Sequence, residues 1–249
     1  RTLDLWPNLR NPILNDVKVR QAISLAIDRP RMVTDIAFGT TKPARGPLGS
    51  RSPYFDSTLP TLSRDVQKAN QMLDDAGHKK GSDGTRFTVK LRVVASVDQF
   101  VKAAQLVKEN LADVGINVNL IAAETTTTLD AVFNKWDFDF AAYSVPLGPE
   151  PSLTWSQYFG SASIGHAAFS NAENYSNPQF DSLVAQSQVA VDKTARKKIY
   201  DQLQQIVMKD LPTIPLWEPL FLSGYRNEFT NAFTQPDDRY IRFLEAWKA

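Results

Sequence analysis

Residues 86–145 constrain this chain more than any other stretch, because their hydrophobic period switches repeatedly between two values. In RFTVKLRVVAS, Phe87, Val89, Leu91 and Val93 alternate with polar neighbours, the period of a strand with one buried face. DQFVKAAQLVKENLADVG places Phe100, Ala104, Val107, Leu111 and Val114 at helical spacing and closes on Gly115. INVNLIAA alternates again, TLDAVFNKW reads as a helix, and DFDFAAYSV reads as a strand. This order predicts right-handed crossovers and an α/β domain, a mostly parallel sheet with flanking helices. Ligands of such sheets bind beyond the carboxyl ends of the strands. The stretch YSVPLGPEPSLTW (143–155) follows the third strand, so the rule points to it.

Helical patterns surround this core. NDVKVRQAISLAID (15–28) puts Val19, Ala22, Ile23, Ala26 and Ile27 on one face, with Asn15 or Asp16 as cap. RPRMVTDIAFG follows, with Pro30 in its first turn and Gly39 suited to a left-handed close. Residues 40–62 carry Pro43, Pro47, Pro53 and Pro60 and read as a long extended loop, a type often functional in compact domains. Ser63 is the expected cap of the next helix, in which Val66, Ala69, Met72, Leu73 and Ala76 face inward before Gly77. Asn177 and Pro178 open another helix, and KTARKKIYDQLQQIVMKD is a further one, apolar at Ile199, Leu203, Ile206 and Val207. LPTIPLW and LFLSGY read as short strands with proline at their edges or ends. The tail beyond them has no clean period, and its aromatics need a surface to cover.

Composition narrows the function classes. The chain has 249 residues, 28 Lys and Arg against 27 Asp and Glu, and a net charge of +1, with neither sign in long blocks. That balance gives no electrostatic reason for a nucleic-acid partner. The cluster TARKKIY (194–200) reads as a solvated helix face. With no cysteine, thiol nucleophiles, thiolate metal sites and disulfides are excluded together. No apolar run approaches the ~20 residues that span a bilayer. Phosphate-loop, dinucleotide and nucleophile-elbow motifs are absent, and His78 and His166 have no metal-binding spacing. Asp137 and Asp139 fall on one face of the expected strand, but at its beginning, away from the ligand end. Catalytic residues, a metal and a cofactor are therefore not expected.

Several stretches together resemble the family 5 solute-binding proteins of ABC importers. These are NPILNDVKVRQAISLAIDRPRMV, AFGTTKPARGPLG, DVQKANQMLDDAGH and NLADVGINVNL, and most specifically NYSNPQFDSLVAQSQ followed by ARKKIYDQLQQIVMKDLPTIPLW. The resemblance implies a lobe of the periplasmic-binding-protein type II kind. It assigns residues 1–14 to a hinge strand leading in from an N-terminal lobe and 15–217 to the C-terminal α/β lobe. Residues 218–249 become a return segment that packs on the other lobe. It implies capture of a peptide or oligosaccharide-like ligand between two lobes by hinge closure, in a monomer outside the cytoplasm that serves a membrane permease. A lipid anchor on the full-length protein is compatible with it. The alternatives are a regulator's effector domain or an α/β enzyme.

The resemblance also addresses 143–155 residue by residue. Glu150–Pro151 is similar to the family's acid–proline step. Counting back, Leu147 stands where oligopeptide binders carry the Asp that pairs with the ligand's α-amino group, and Ser144 where they carry a pocket Trp. A buried ammonium without a counter-charge costs several kcal/mol. The ligand is then either a peptide held by Glu150, the acid that takes this role in dipeptide binders, or a neutral, sugar-like molecule. Trp155, Tyr143 and Ser144 would supply the latter with a stacking face and hydroxyl contacts, and Arg45 in TTKPARGPLGS would reach a ligand carboxylate or phosphate.

Overall fold

The alternating periods form strands β2 (Phe87–Val94), β3 (Ile116–Ala123) and β4 (Phe140–Tyr143) in a computed structural model that describes residues 2–144 and 150–219, and the backbone at 229–230 and 247–248. Two further strands join them, β1 (Leu3–Pro7) and β5 (Ile214–Trp217), and the sheet order is β3-β2-β4-β1-β5. Strand β2 pairs parallel with both β3 and β4, whereas β1 is antiparallel to β4 and to β5. Four of the five strands therefore run one way. The expected mostly parallel α/β sheet is present, with β1 inserted in the opposite sense.

Side chains alternate across this sheet into two cores. Leu3, Leu5, Val89, Leu91, Val93, Phe140 and Ala142 face one side. They meet α2 (Val17–Ala26), α3 (Arg29–Ala37), α4 (Val66–Asp75) and α5 (Asp98–Ala112). Trp6 and Ala141 face the other side, toward α7 (Pro151–Phe159), α8 (Pro178–Val189), α9 (Lys193–Asp210) and Phe133. The connection from β2 to β3 runs through α5 on the first face. That from β3 to β4 runs through α6 (Thr125–Leu129) and a π-helical turn, Asp130–Asn134, on the second. The chain thus reverses its winding between β2 and β4, which makes their carboxyl ends a topological switch point.

Local details in part meet and in part depart from the expectations: the Asp16 cap and the left-handed Gly39 are present, and the others differ. The π turn carries the TLDAVFNKW helix only to Asn134, and the helix begins earlier, at Thr125. A short helix, α1 (Pro12–Asn15), precedes α2, so Asp16 caps the latter and Asn11 the former. Helix α4 is capped by Asp65 rather than Ser63, because the Asp65 carboxylate accepts the Lys68 N–H. Helix α3 ends through two left-handed residues, Phe38 (φ 51°) and Gly39 (φ 70°), and the Gly39 N–H returns to the Val33 carbonyl. Asp137 and Asp139 precede β4 instead of lying in it. Asp137 pairs with Lys90 and Arg92, and Asp139 accepts the Lys90 N–H at 2.7 Å and the Asn11 amide at 2.8 Å. LFLSGY lies outside the described residues.

Residues Arg1–Glu218 form one compact unit and Pro219–Ala249 a second. In the second, β6 (Phe229–Thr230) pairs antiparallel with β7 (Trp247–Lys248).

Candidate ligand-binding edge

Four parallel strands end on one side of the sheet, and β1 begins there, with Asp4 opposite Tyr143 and Leu3 opposite Trp217. Loop 40–50 borders this edge because its backbone joins β5: the Ala44 N–H donates to the Leu216 carbonyl at 3.1 Å, and the Glu218 N–H to Lys42 at 3.1 Å. Glu218 fastens the loop further. Its carboxylate accepts the Ser50 N–H at 2.9 Å and the Ser50 hydroxyl at 2.8 Å. Loop 40–50, the start of β1 and the end of β4 are thus brought to one edge.

Ser144 donates its hydroxyl to the Thr2 carbonyl at 2.8 Å, which ties the residue after β4 to the residue before β1. Tyr143 is half-buried, edge-on to Trp6 at 5.2 Å, and desolvation raises its phenol pKa. Leu147 lies outside the described residues. Trp155 is fully buried, with its ring 5.9 Å from Tyr200 and 6.1 Å from Phe180, so it forms the floor of α7 in this conformation rather than an open stacking face. Arg45 turns back on its own loop and donates to the carbonyls of Ser57, at 3.1 Å, and Leu59.

Glu150 is the most heavily engaged of the expected residues. It stands at the N-cap of α7, where a carboxylate is favoured by the helix dipole. One oxygen accepts the Ser152 hydroxyl at 2.6 Å and the Tyr200 hydroxyl, and the other meets the Arg196 guanidinium. Desolvation works to raise the carboxyl pKa. The bonds from Ser152 and Tyr200 and the charge of Arg196 outweigh it and leave the pKa below its usual value. Arg196 in turn lies over the Tyr54 ring at 5.9 Å, and Tyr54 packs on Tyr200 with ring centroids 4.2 Å apart. Loop 40–62, the start of α7 and α9 are therefore joined through one charged and aromatic cluster.

The sequence assigns Arg196 and Tyr200 to a solvated helix face and to the family's pattern, and gives neither a role at the site. The Arg196–Tyr200 spacing of four residues stacks both on one side of α9, and that was the available signal. Beneath the same edge lies a second unforeseen group. Asp4 and Glu173 are both buried; one Asp4 oxygen and both Glu173 oxygens have no hydrogen-bonding partner among the described residues. Desolvation raises the Asp4 carboxyl to about 7 against a bond from Thr2, and raises Glu173 well above its usual value despite the Arg10 charge. No periodicity marks either residue.

At the opposite end of the sheet, Leu9, Arg20, Gln21, Tyr175, Lys209 and Asp210 line a cavity of about 390 Å³. Its cation Arg20 is committed to structure, since it donates to the carbonyls of Leu14, Asn15, Asp210 and Leu211. Among the described residues no cluster of three or more His, Asp or Glu is placed to hold a metal ion, and no helix is long and apolar enough to cross a membrane.

A sheet that reverses its winding and is covered by helices on both faces is of the type II periplasmic-binding-protein kind, as the solved neighbours show. The solved oligopeptide-binding protein AppA from Bacillus subtilis, in complex with a nonapeptide, superposes on the whole chain with a TM-score of 0.86 and 25% identity, and the match covers 50% of AppA. HbpA2 from Haemophilus parasuis shares the fold over the whole chain, with a TM-score of 0.80 and 22% identity, and is matched over 48% of its length. The chain belongs to the bacterial extracellular solute-binding proteins, family 5, whose middle-region profile matches residues 1–165. Among relatives, heme-binding protein A of Haemophilus influenzae is 27% identical over 84% of this chain, and glutathione-binding protein GsiB of Pectobacterium atrosepticum 27% over 92%. The chain spans 38% and 44% of those two proteins.

Proposed function

We propose that this chain is the C-terminal lobe of an extracytoplasmic solute-binding protein that captures its ligand at the switch-point edge and delivers it to an ABC importer's permease. The observation that carries the reading is the convergence of loop 40–50, the first residues of β1 and the end of β4 on the carboxyl edge of the sheet. Family membership supports binding rather than catalysis, and the names of the relatives support a periplasmic location. Residues 1–14 would lead in from a second lobe and 218–249 would return to it, so that hinge closure buries the ligand between two walls. Tyr143, Ser144 and Leu147 belong to this lobe's wall, Arg45 to its rim and Trp155 to its support. The protein would act as a monomer, without a cofactor or nucleic-acid partner, and with room for a lipid anchor.

The relatives' names span heme, glutathione and peptides, so the ligand is argued from this edge itself. Its described groups include the Tyr143 and Ser144 hydroxyls and the Arg45 guanidinium, which donates to loop carbonyls, and this supports a peptide or oligosaccharide-like molecule bound largely through hydrogen bonds. Calorimetry of the full natural polypeptide against a panel of peptides and neutral oligosaccharides tests this. Binding by at least one class, with a compaction seen by small-angle scattering, is expected. Turnover of a panel member without any tight binding would defeat the reading.

A further inference from the structure

Glu150 stands beside the proposed ligand edge as a carboxylate with every ingredient of a cation subsite: partial solvent access, two hydroxyl donors and an aromatic neighbour. Its side chain is 27% exposed and that of Arg196 23%, so solvent reaches the pair; Glu150 lies six residues beyond Ser144, and the pair is joined to loop 40–62 through Tyr54. The cation in that subsite is part of the chain. Arg196 holds one Glu150 oxygen, Ser152 and Tyr200 hold the other, and Tyr54 supports the guanidinium from below.

We propose that Arg196 is a resident counter-ion for Glu150, a specificity-determining positioning residue that makes this edge select ligands carrying no ammonium group at that point. Two physical points lead there. An acid already satisfied by a guanidinium and two hydroxyls gains little from a second cation, which would also meet the positive charge of Arg196. Displacing Arg196 would leave its charge half-buried and unpaired, a loss that one ammonium contact does not recover. The ligand classes that remain are blocked or internal peptide segments, sugars and neutral conjugates. This rests on the ligand edge proposed above, and it excludes a peptide held through its free amine by Glu150.

The test has one arm that needs no natural ligand. In Arg196→Gln and Arg196→Ala, two replacements so that one misfolded variant does not decide the matter, Glu150 loses its cation. Ethylammonium at about 0.5 M, compared with sodium at the same ionic strength, should then raise Tm by about 1–2 °C in the variant. It should do nothing to the wild type or to the double variants with Glu150→Gln. The second arm uses the full natural polypeptide with trialanine, N-acetyl-trialanine and maltotriose as probes. The wild type should bind the acetylated peptide at least as tightly as the free one. The Arg196 variants should shift that ratio about tenfold toward the free amine, and Glu150→Gln should cancel the shift.

The proposal is overturned if ethylammonium stabilises neither variant, if it stabilises the double variants equally, or if the wild type favours free trialanine tenfold or more. If no probe binds the wild type while the ethylammonium arm succeeds, the ligand classes proposed above fall and Arg196 stands as the resident cation.

Discussion

Two buried ionisable groups carry the sharpest consequences for single residues. Arg29 is fully buried with no carboxylate against it among the described residues, and desolvation lowers its pKa to about 9. Its guanidinium donates to the Pro215 carbonyl at 2.7 Å, the Ser24 carbonyl at 2.8 Å and the Ser24 hydroxyl at 2.8 Å, and so ties α2 and α3 to β5. Arg29→Ala strands those acceptors and opens a cavity. We expect a loss of about 3–5 kcal/mol in urea unfolding, and Arg29→Lys recovers little because an ammonium lacks the planar fork. Asp4 gives a pH dependence whose sign follows from its raised folded pKa. Its unfolded value is near 3.8 and its folded value about 7, so the stabilisation is complete below about pH 4 and declines as pH rises to about 7. Glu173 shifts in the same direction and reinforces the decline. Urea midpoints of Asp4→Asn and Glu173→Gln across that window should lose part of the slope; a wild-type midpoint that rises with pH as steeply as in the variants would contradict this.

The elements are held by termini as much as by faces. Asn177 caps α8 by accepting the N–H groups of Gln179, at 2.9 Å, and Phe180, at 3.2 Å, and its amide donates to Asp210 at the end of α9 at 2.8 Å. Asn177→Ala should therefore cost about 1–2 kcal/mol, at the upper end for a cap because a second helix is involved. Gly115 permits the turn from α5 into β3 at φ 78°, and a Cβ there would lie 2.6 Å from the Gly84 carbonyl. Gly115→Ala should cost more than the cap, read as a drop in Tm, with Gly77→Ala (φ 88°, open space) as the control for backbone strain alone. These elements were the readable part of the sequence. Alternation in β2 and β3 and the helical stripes of α2, α5 and α9 follow from burial on one face, which local spacing records. Capping by Asp65, the late start of β4 and the Glu150–Arg196–Tyr200 cluster are not readable, because each depends on partners distant in the sequence. The cluster is the clearest instance: Glu150 was identified as a site acid, but the cation 46 residues onward that neutralises it was not.

For the molecule as a whole, the order β3-β2-β4-β1-β5 decides where function belongs. It places the winding reversal, the start of β1 and the Glu218-anchored loop on one edge, and leaves a cavity lined by Arg20 and Lys209 at the other end. Hinge closure against a second wall would dehydrate the first of these and strengthen each neutral hydrogen bond made there. The most direct measurement is a crystal structure of the full natural polypeptide with the ligand that co-purifies with it. We predict ligand density against Thr2, Tyr143, Ser144 and the 145–150 segment, with the Glu150–Arg196 pair intact. Density in the Arg20–Lys209 cavity, with the carboxyl edge open to solvent, would contradict the assignment.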